Sequence, residues 1–118
     1  MSAIRNFRDL TVWQKAHQFA LAIYHLTRNF PNDEKFGLTS QMRRSAVSTA
    51  ANIAEGFVRF GKQDKLRFYN IAQGSLEETK YYLILARDLG YTKNIVEEGK
   101  LAGDVGRLLH ALLVSIKQ

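Results

Sequence analysis

The stretch from Leu38 to Gly61, LTSQMRRSAVSTAANIAEGFVRFG, limits what this chain can fold into more than any other. Turned at roughly 100° per residue, as a helix requires, it shows two apolar arcs. Leu38, Met42, Ala46, Thr49, Ala50, Ile53, Phe57 and Phe60 share one arc. Val47, Ala51, Ala54 and Val58 share a second, facing nearly the other way. A narrow polar strip of Gln41, Arg44, Ser48, Asn52, Glu55 and Arg59 runs between them. A surface helix carries one apolar stripe and a broad charged face. This helix has too little polar surface for that and is expected to be sandwiched between neighbours.

The rest of the chain reads as three more helices. Thr11-x-x-Gln14 has capping-box spacing, and Trp13, Ala16, Phe19, Ala20, Ile23 and Tyr24 open a wide apolar arc. Pro31 bounds it, because the residue before a proline is pushed out of the α region. The link Pro31–Gly37 is turn chemistry whose two apolar residues are expected to tuck under the bundle. Thr39 or Ser40 is expected to cap the second helix and Gly61 to end it. Gly56 lies inside that helix, where glycine costs about 0.5–1 kcal/mol against alanine, so a close helix–helix approach is expected there. In the third helix Ser75 lies inside the apolar arc, Glu78 at its edge and Gly74 just outside. A serine there can bond its own i−4 carbonyl and needs no function. Thr92 is expected to cap the fourth helix. The four spans are 11–29, 39–60, 62–89 and 93–117, in one domain covering 1–118. Long helices with short connections predict an all-α, antiparallel up-down-up-down four-helix bundle. The surplus apolar surface predicts a homo-oligomer.

The sequence has no cysteine, which excludes disulfide scaffolds and thiol chemistry. No apolar run approaches the roughly 18 residues of a membrane span and the N-terminus lacks a signal-peptide core, so a cytoplasmic protein is expected. The net charge of +6 is uneven: residues 1–67 hold 11 Lys/Arg against 5 Asp/Glu, and residues 68–118 hold 6 against 6. Such asymmetry suits a polyanionic partner, RNA or DNA first. Its densest part is Arg59, Lys62, Lys65 and Arg67, opposed only by Asp64. Phe57, Phe60, Phe68 and Tyr69 interleave, but they match the core arcs and are expected to be buried.

Nothing here reads as a catalytic or metal constellation. His17, His25 and His110 have no partner at i+3 or i+4 that would suit a metal. The serines have no nearby histidine. Glu55 and Glu78 are the carboxylates worth weighing as an acid/base pair. Arg44, Ser48, Asn52, Glu55, Ser75 and Glu78 are instead expected to form a buried or half-buried structural polar network. No enzyme activity and no cofactor are expected.

Two pieces of sequence go further. NIAEG at Asn52–Gly56 and GSL-x-E at Gly74–Glu78 follow Phe7-x-x-Leu10-x-Val12-Trp13-Gln14-Lys15-Ala16 and Phe36-Gly37-Leu38-Thr39-Ser40-Gln41-Met42-Arg43-Arg44. Taken together they resemble the 23S ribosomal RNA intervening-sequence protein family, described as four-helix-bundle proteins. The chain departs from the family pattern at Met42 and Thr49, neither in a proposed site. The resemblance implies a cytoplasmic bacterial protein assembled as a homopentameric ring, with no established enzyme activity. A related group, the accessory variability determinants of diversity-generating retroelements, binds nucleic acid and a reverse transcriptase. Two expectations follow: a basic nucleic-acid-binding accessory protein, or a protein-interaction scaffold serving a reverse transcriptase or similar enzyme.

Overall fold

A computed structural model describes residues 4–118. It contains four α-helices and, among the described residues, no strand: α1 (Thr11–Thr27), α2 (Leu38–Val58), α3 (Lys62–Asp88) and α4 (Val96–Lys117). Short 3₁₀ turns at Phe7–Asp9 and Asn32–Glu34 precede α1 and α2. Each helix packs on two others, α1 on α2 and α4, α3 on α2 and α4, so the four enclose one core. The molecule measures 47 × 24 × 21 Å, close to one long helix by two helix diameters.

The core is built from the helical arcs. Phe19 and Ile23 of α1, Met42 and Ile53 of α2, Leu76 and Leu83 of α3, and Leu109 of α4 are fully buried. Each such side chain contributes about 1.5–3 kcal/mol of transfer free energy. Among the α2 residues, Leu38, Met42, Ala46, Thr49, Ala50 and Ile53 face this core. The opposite arc is largely open among the described residues, with Ala54 half-buried. Val47 is 44% exposed and Val58 58%, so α2 is buried on one side only.

The helix ends differ from expectation because contacts other than the expected caps decide them. Helix α1 stops at Thr27, short of the proline, where the Thr27 hydroxyl donates to the Ile23 carbonyl (2.8 Å). The expected capping box is absent. Leu10 is the cap residue, and Gln14 Nε2 instead donates to the Arg8 carbonyl (2.8 Å) in the preceding turn. Neither Thr39 nor Ser40 caps α2, which begins at Leu38 with Gly37 as its cap residue. Glu34 Oε1 accepts from the Leu38 N–H (3.0 Å) in their place. Phe36 does not tuck under the bundle; the neighbouring Phe30 is buried there, 5.5 Å from the Tyr91 ring. Gly61 is extended (φ −76°) and opens α3 instead of closing α2. The last carbonyls of α2, Gly56 O and Phe57 O, accept from Lys65 Nζ at 3.1 and 2.8 Å. At the end of α3, Gly90 takes φ +81°, its N–H bonded to Arg87 O and the Tyr91 N–H to Ala86 O. This is a Schellman closure, which favours glycine at that φ. Helix α4 starts at Val96, past Thr92, with Asn94 Oδ1 accepting from the Val96 N–H (2.9 Å).

Glu34 also accepts from the Tyr91 hydroxyl (2.7 Å), tying the α1–α2 connection to the α3–α4 connection. The Leu38 N–H first, and then the Tyr91 hydroxyl, hold its carboxyl below the ordinary value of 4.5. A group whose folded pKa is depressed stabilises the fold fully above its unfolded value and loses that contribution as pH falls through the folded value. Glu34→Gln is therefore expected to lower the melting temperature at neutral pH. The gap from the unmodified protein should close as the pH drops below 4.5. Thermal melts across an acid series check this; a gap independent of pH would mean the charge on Glu34 is irrelevant.

Candidate functional site

The α2–α3 seam gathers hydroxyls. Ser48 Oγ and Ser75 Oγ are 2.8 Å apart, and Asn52 Nδ2 donates to Ser48 Oγ (3.0 Å) and to the Ser48 carbonyl (2.8 Å). One turn away Ser45 Oγ and Thr79 Oγ1 are 2.7 Å apart, both buried. Thr79 also donates to the Ser75 carbonyl (2.8 Å). These bonds satisfy each hydroxyl and pin the register of α2 on α3. Above them lies a cleft of ≈ 340 Å³ with Gln41, Arg44 and Glu78 on its rim.

The six residues expected to form one network therefore divide. Ser48, Asn52 and Ser75 are joined. Glu78 is exposed and accepts from the Tyr82 hydroxyl (2.7 Å), which holds that phenol above its usual range. Arg44 is exposed and has no carboxylate in contact among the described residues. Glu55 pairs with Arg59 at 2.6 Å, but the two side chains are 45% and 40% exposed. The pairing of Glu55 within the polar strip forms, but the large cost that complete burial would bring is corrected: an exposed i,i+4 pair contributes no more than about 0.2–1 kcal/mol. Glu55 and Glu78 are engaged separately and form no acid/base couple in this arrangement.

The α2–α3 tip holds the four cations of densest charge, and each already has a protein partner. Lys65 closes the end of α2, as described above. Lys62 Nζ donates to the Lys117 carbonyl (3.1 Å) at the end of α4. Arg59 and Arg67 both lie over the Phe68 ring, 4.7 Å from its centroid. Arg67 also stands 3.9 Å from Asp64. The rings are not uniformly buried as expected. Tyr69 is buried, Phe57 and Phe68 are half-buried, and Phe60 is 103% exposed because α2 has ended before it.

The other end of α2 is different, and sequence reasoning passed over it. Arg28, Lys35, Arg43 and Arg44 surround the α1–α2 connection, and none has a carboxylate within ion-pair distance among the described residues. Of the two acids in the connection, Asp33 is exposed and forms no ion pair among the described residues, and Glu34 is occupied by Leu38 and Tyr91. Arg43 Nε donates to Thr27 Oγ1 (2.8 Å), and its guanidinium lies 4.6 Å from the Tyr24 ring centroid. Phe36 is 90% exposed beside them. The Arg43-Arg44 doublet was the available signal; its partners are spread over 16 residues and do not read as a cluster in one dimension.

His17 stacks flat on Trp13, with ring centroids 5.0 Å apart and planes 5° from parallel. Among the described residues no three His, Asp or Glu side chains stand close enough to share a metal ion, and no helix is long and apolar enough to cross a membrane.

Residues 8–110 match the family described as 23S rRNA-intervening sequence protein. The chain belongs to that family. A solved structure from Bacteroides thetaiotaomicron, described as a protein of unknown function from the S23 ribosomal protein family, is similar to it. The two share 26% identity with a TM-score of 0.78, over 87% of this chain and 98% of that one. No protein of curated function matches the chain. The joined pair Ser48 and Ser75 lies within the matched region, as do both cationic ends.

Proposed function

We propose that the protein is a non-enzymatic, oligomeric nucleic-acid-binding accessory protein of bacterial cytoplasm. The observation that carries this reading is the α1–α2 end, where four cations have no carboxylate within ion-pair distance among the described residues, although Asp33 and Glu34 lie in the same connection. Charges left unpaired by their own protein are available to phosphates, whose neutralisation releases counterions and supplies the sequence-independent part of binding. The partnered cations of the α2–α3 tip, Arg59, Lys62, Lys65 and Arg67, add to the field without being as free. With an up-down-up-down order, a ring of subunits, five by family resemblance, would repeat each end around an axis. No cofactor enters this reading.

Reversing Arg28, Lys35 and Arg44 to Glu is expected to abolish binding to a structured RNA and a DNA duplex at moderate salt. It should also flatten the slope of log affinity against log salt by about 2, since each phosphate contact contributes roughly 0.7–0.9. Reversing Lys62, Lys65 and Arg67 should cost less, and reversing Lys93, Lys100 and Lys117 least. Fluorescence anisotropy across a salt series measures all three. Equal losses from the three variants would leave no defined site. Failure of the unmodified protein to bind either polymer at low salt would favour the scaffold reading, with a reverse transcriptase as the partner class that the accessory variability determinants suggest.

A further inference from the structure

An exposed aromatic ring is ordinary alone, but Phe36 is not alone. It borders a cleft of ≈ 310 Å³ whose lining includes Tyr24, Lys35, Ser40, Arg43 and Arg44. Lys35 Nζ sits 5.5 Å from the Phe36 centroid. Arg43 is already fixed: its Nε is held by the Thr27 hydroxyl, and Thr27 is itself 3% exposed and bonded back to Ile23. A cation held in place before the ligand arrives loses little freedom on binding. Arg44 stands on the same rim with no carboxylate in contact among the described residues.

A basic surface without rings serves any polyanion, including a duplex, which offers its phosphates and keeps its bases stacked inside. A ring placed among cations adds something a duplex cannot use. An unpaired base has a free π-face, and stacking on an aromatic side chain is tolerant of base identity. An acidic peptide would use the cations equally but has no general need of the ring.

We infer that the Tyr24–Phe36 cleft takes an unpaired nucleotide of a single-stranded nucleic acid, its base stacked on Phe36 and its phosphates against Lys35, Arg43 and Arg44. This rests on the nucleic-acid-binding reading above and makes it specific for single strands. Aromatic stacking of this kind is worth on the order of ten-fold in affinity per base.

The test compares labelled single-stranded RNA and DNA, each about twelve nucleotides long, with an RNA duplex of equal length, by anisotropy at fixed salt. The unmodified protein should prefer single strands. Phe36→Ala should lose about ten-fold on them and little on the duplex, and Phe36→Trp should restore the preference. Neither variant should change the melting temperature or the mass, since Phe36 is outside the core. The RNA and DNA arms report which sugar is preferred. Equal affinity for duplex and single strand, or equal losses of Phe36→Ala on both, overturns the inference and leaves the broader reading standing. A Phe36→Ala protein that changes mass also overturns it, by marking the ring as a contact between subunits. No binding of any of the polymers by the unmodified protein removes both readings together.

Discussion

Gly56→Ala is expected to lower the melting temperature by about 5–10 °C. A Cβ added at Gly56 would lie 2.6 Å from Tyr69 Cε1 and 2.9 Å from Cδ1. Carbon atoms pack at about 3.5–4.0 Å, so one of the two helices or the ring must shift. The ring has no easy escape, because Tyr69 is 2% exposed and lies within the core cluster. Overpacking of this kind costs about 1–3 kcal/mol. Alanine recovers about 0.5–1 kcal/mol of helix propensity, which offsets part of that cost and does not reverse it. The contact has its own signature in a double-mutant cycle. Tyr69→Leu alone empties space and destabilises, whereas in the Gly56→Ala background it also removes the clash. The combined loss should fall short of the sum by more than the roughly 0.3–0.5 kcal/mol scatter of independent sites. Strict additivity would mean that α2 and α3 do not approach at this glycine.

That glycine was legible because an interior helical glycine needs a reason, and close approach is the commonest structural one. Most of the core arcs given for α1 and α2 were legible for the same kind of reason, because periodicity is a local property, but Tyr24 and Phe60, placed on them, are 41% and 103% exposed. What was not legible depends on groups that arrive from elsewhere. Helix α2 begins where the Glu34 carboxylate reaches it and ends where Lys65 of the next helix takes its carbonyls. No pattern within Leu38–Val58 encodes either. Ser48 and Ser75 meet across the seam, but the narrowness of the polar strip suggested more burial than Glu55 has, and the exposure of its pair with Arg59 shows that the strip opens to solvent. The densest run of cations likewise drew attention to the wrong kind of quantity. Local density ranks the α2–α3 tip first, while freedom from carboxylate contacts ranks the α1–α2 end first. Lys62 finds the Lys117 carbonyl, 55 residues away, only once the chain is folded.

The apolar strip of α2 gives the remaining large effect, a change of mass. Val47, Ala51 and Val58 are exposed on the face of α2 opposite its core arc, with Ala54 half-buried beside them. Four small side chains cannot make an interface alone, since a stable one buries about 800 Å² per partner. Two such interfaces would take roughly a fifth of the 7381 Å² that each chain exposes. The supply is available elsewhere: Leu21 on α1, Ile71 and Ile84 on α3 and Val114 on α4 are also exposed. Exposed aliphatics on all four helices suit a contact between two different faces. Such a heterologous contact gives a ring where its rotation closes and a filament where it does not, while a two-fold contact would cover a single face and leave the rest wet. Light scattering coupled to gel filtration is therefore expected to give a mass several times 13.5 kDa. Val47→Glu combined with Ala51→Glu should return the protein to one chain. Its helical circular dichroism should survive, because neither side chain enters the core. A 13.5 kDa species for the unmodified protein at micromolar concentration would sink the assembly. A double variant that keeps the full mass would move the interface off α2 and onto the other exposed faces.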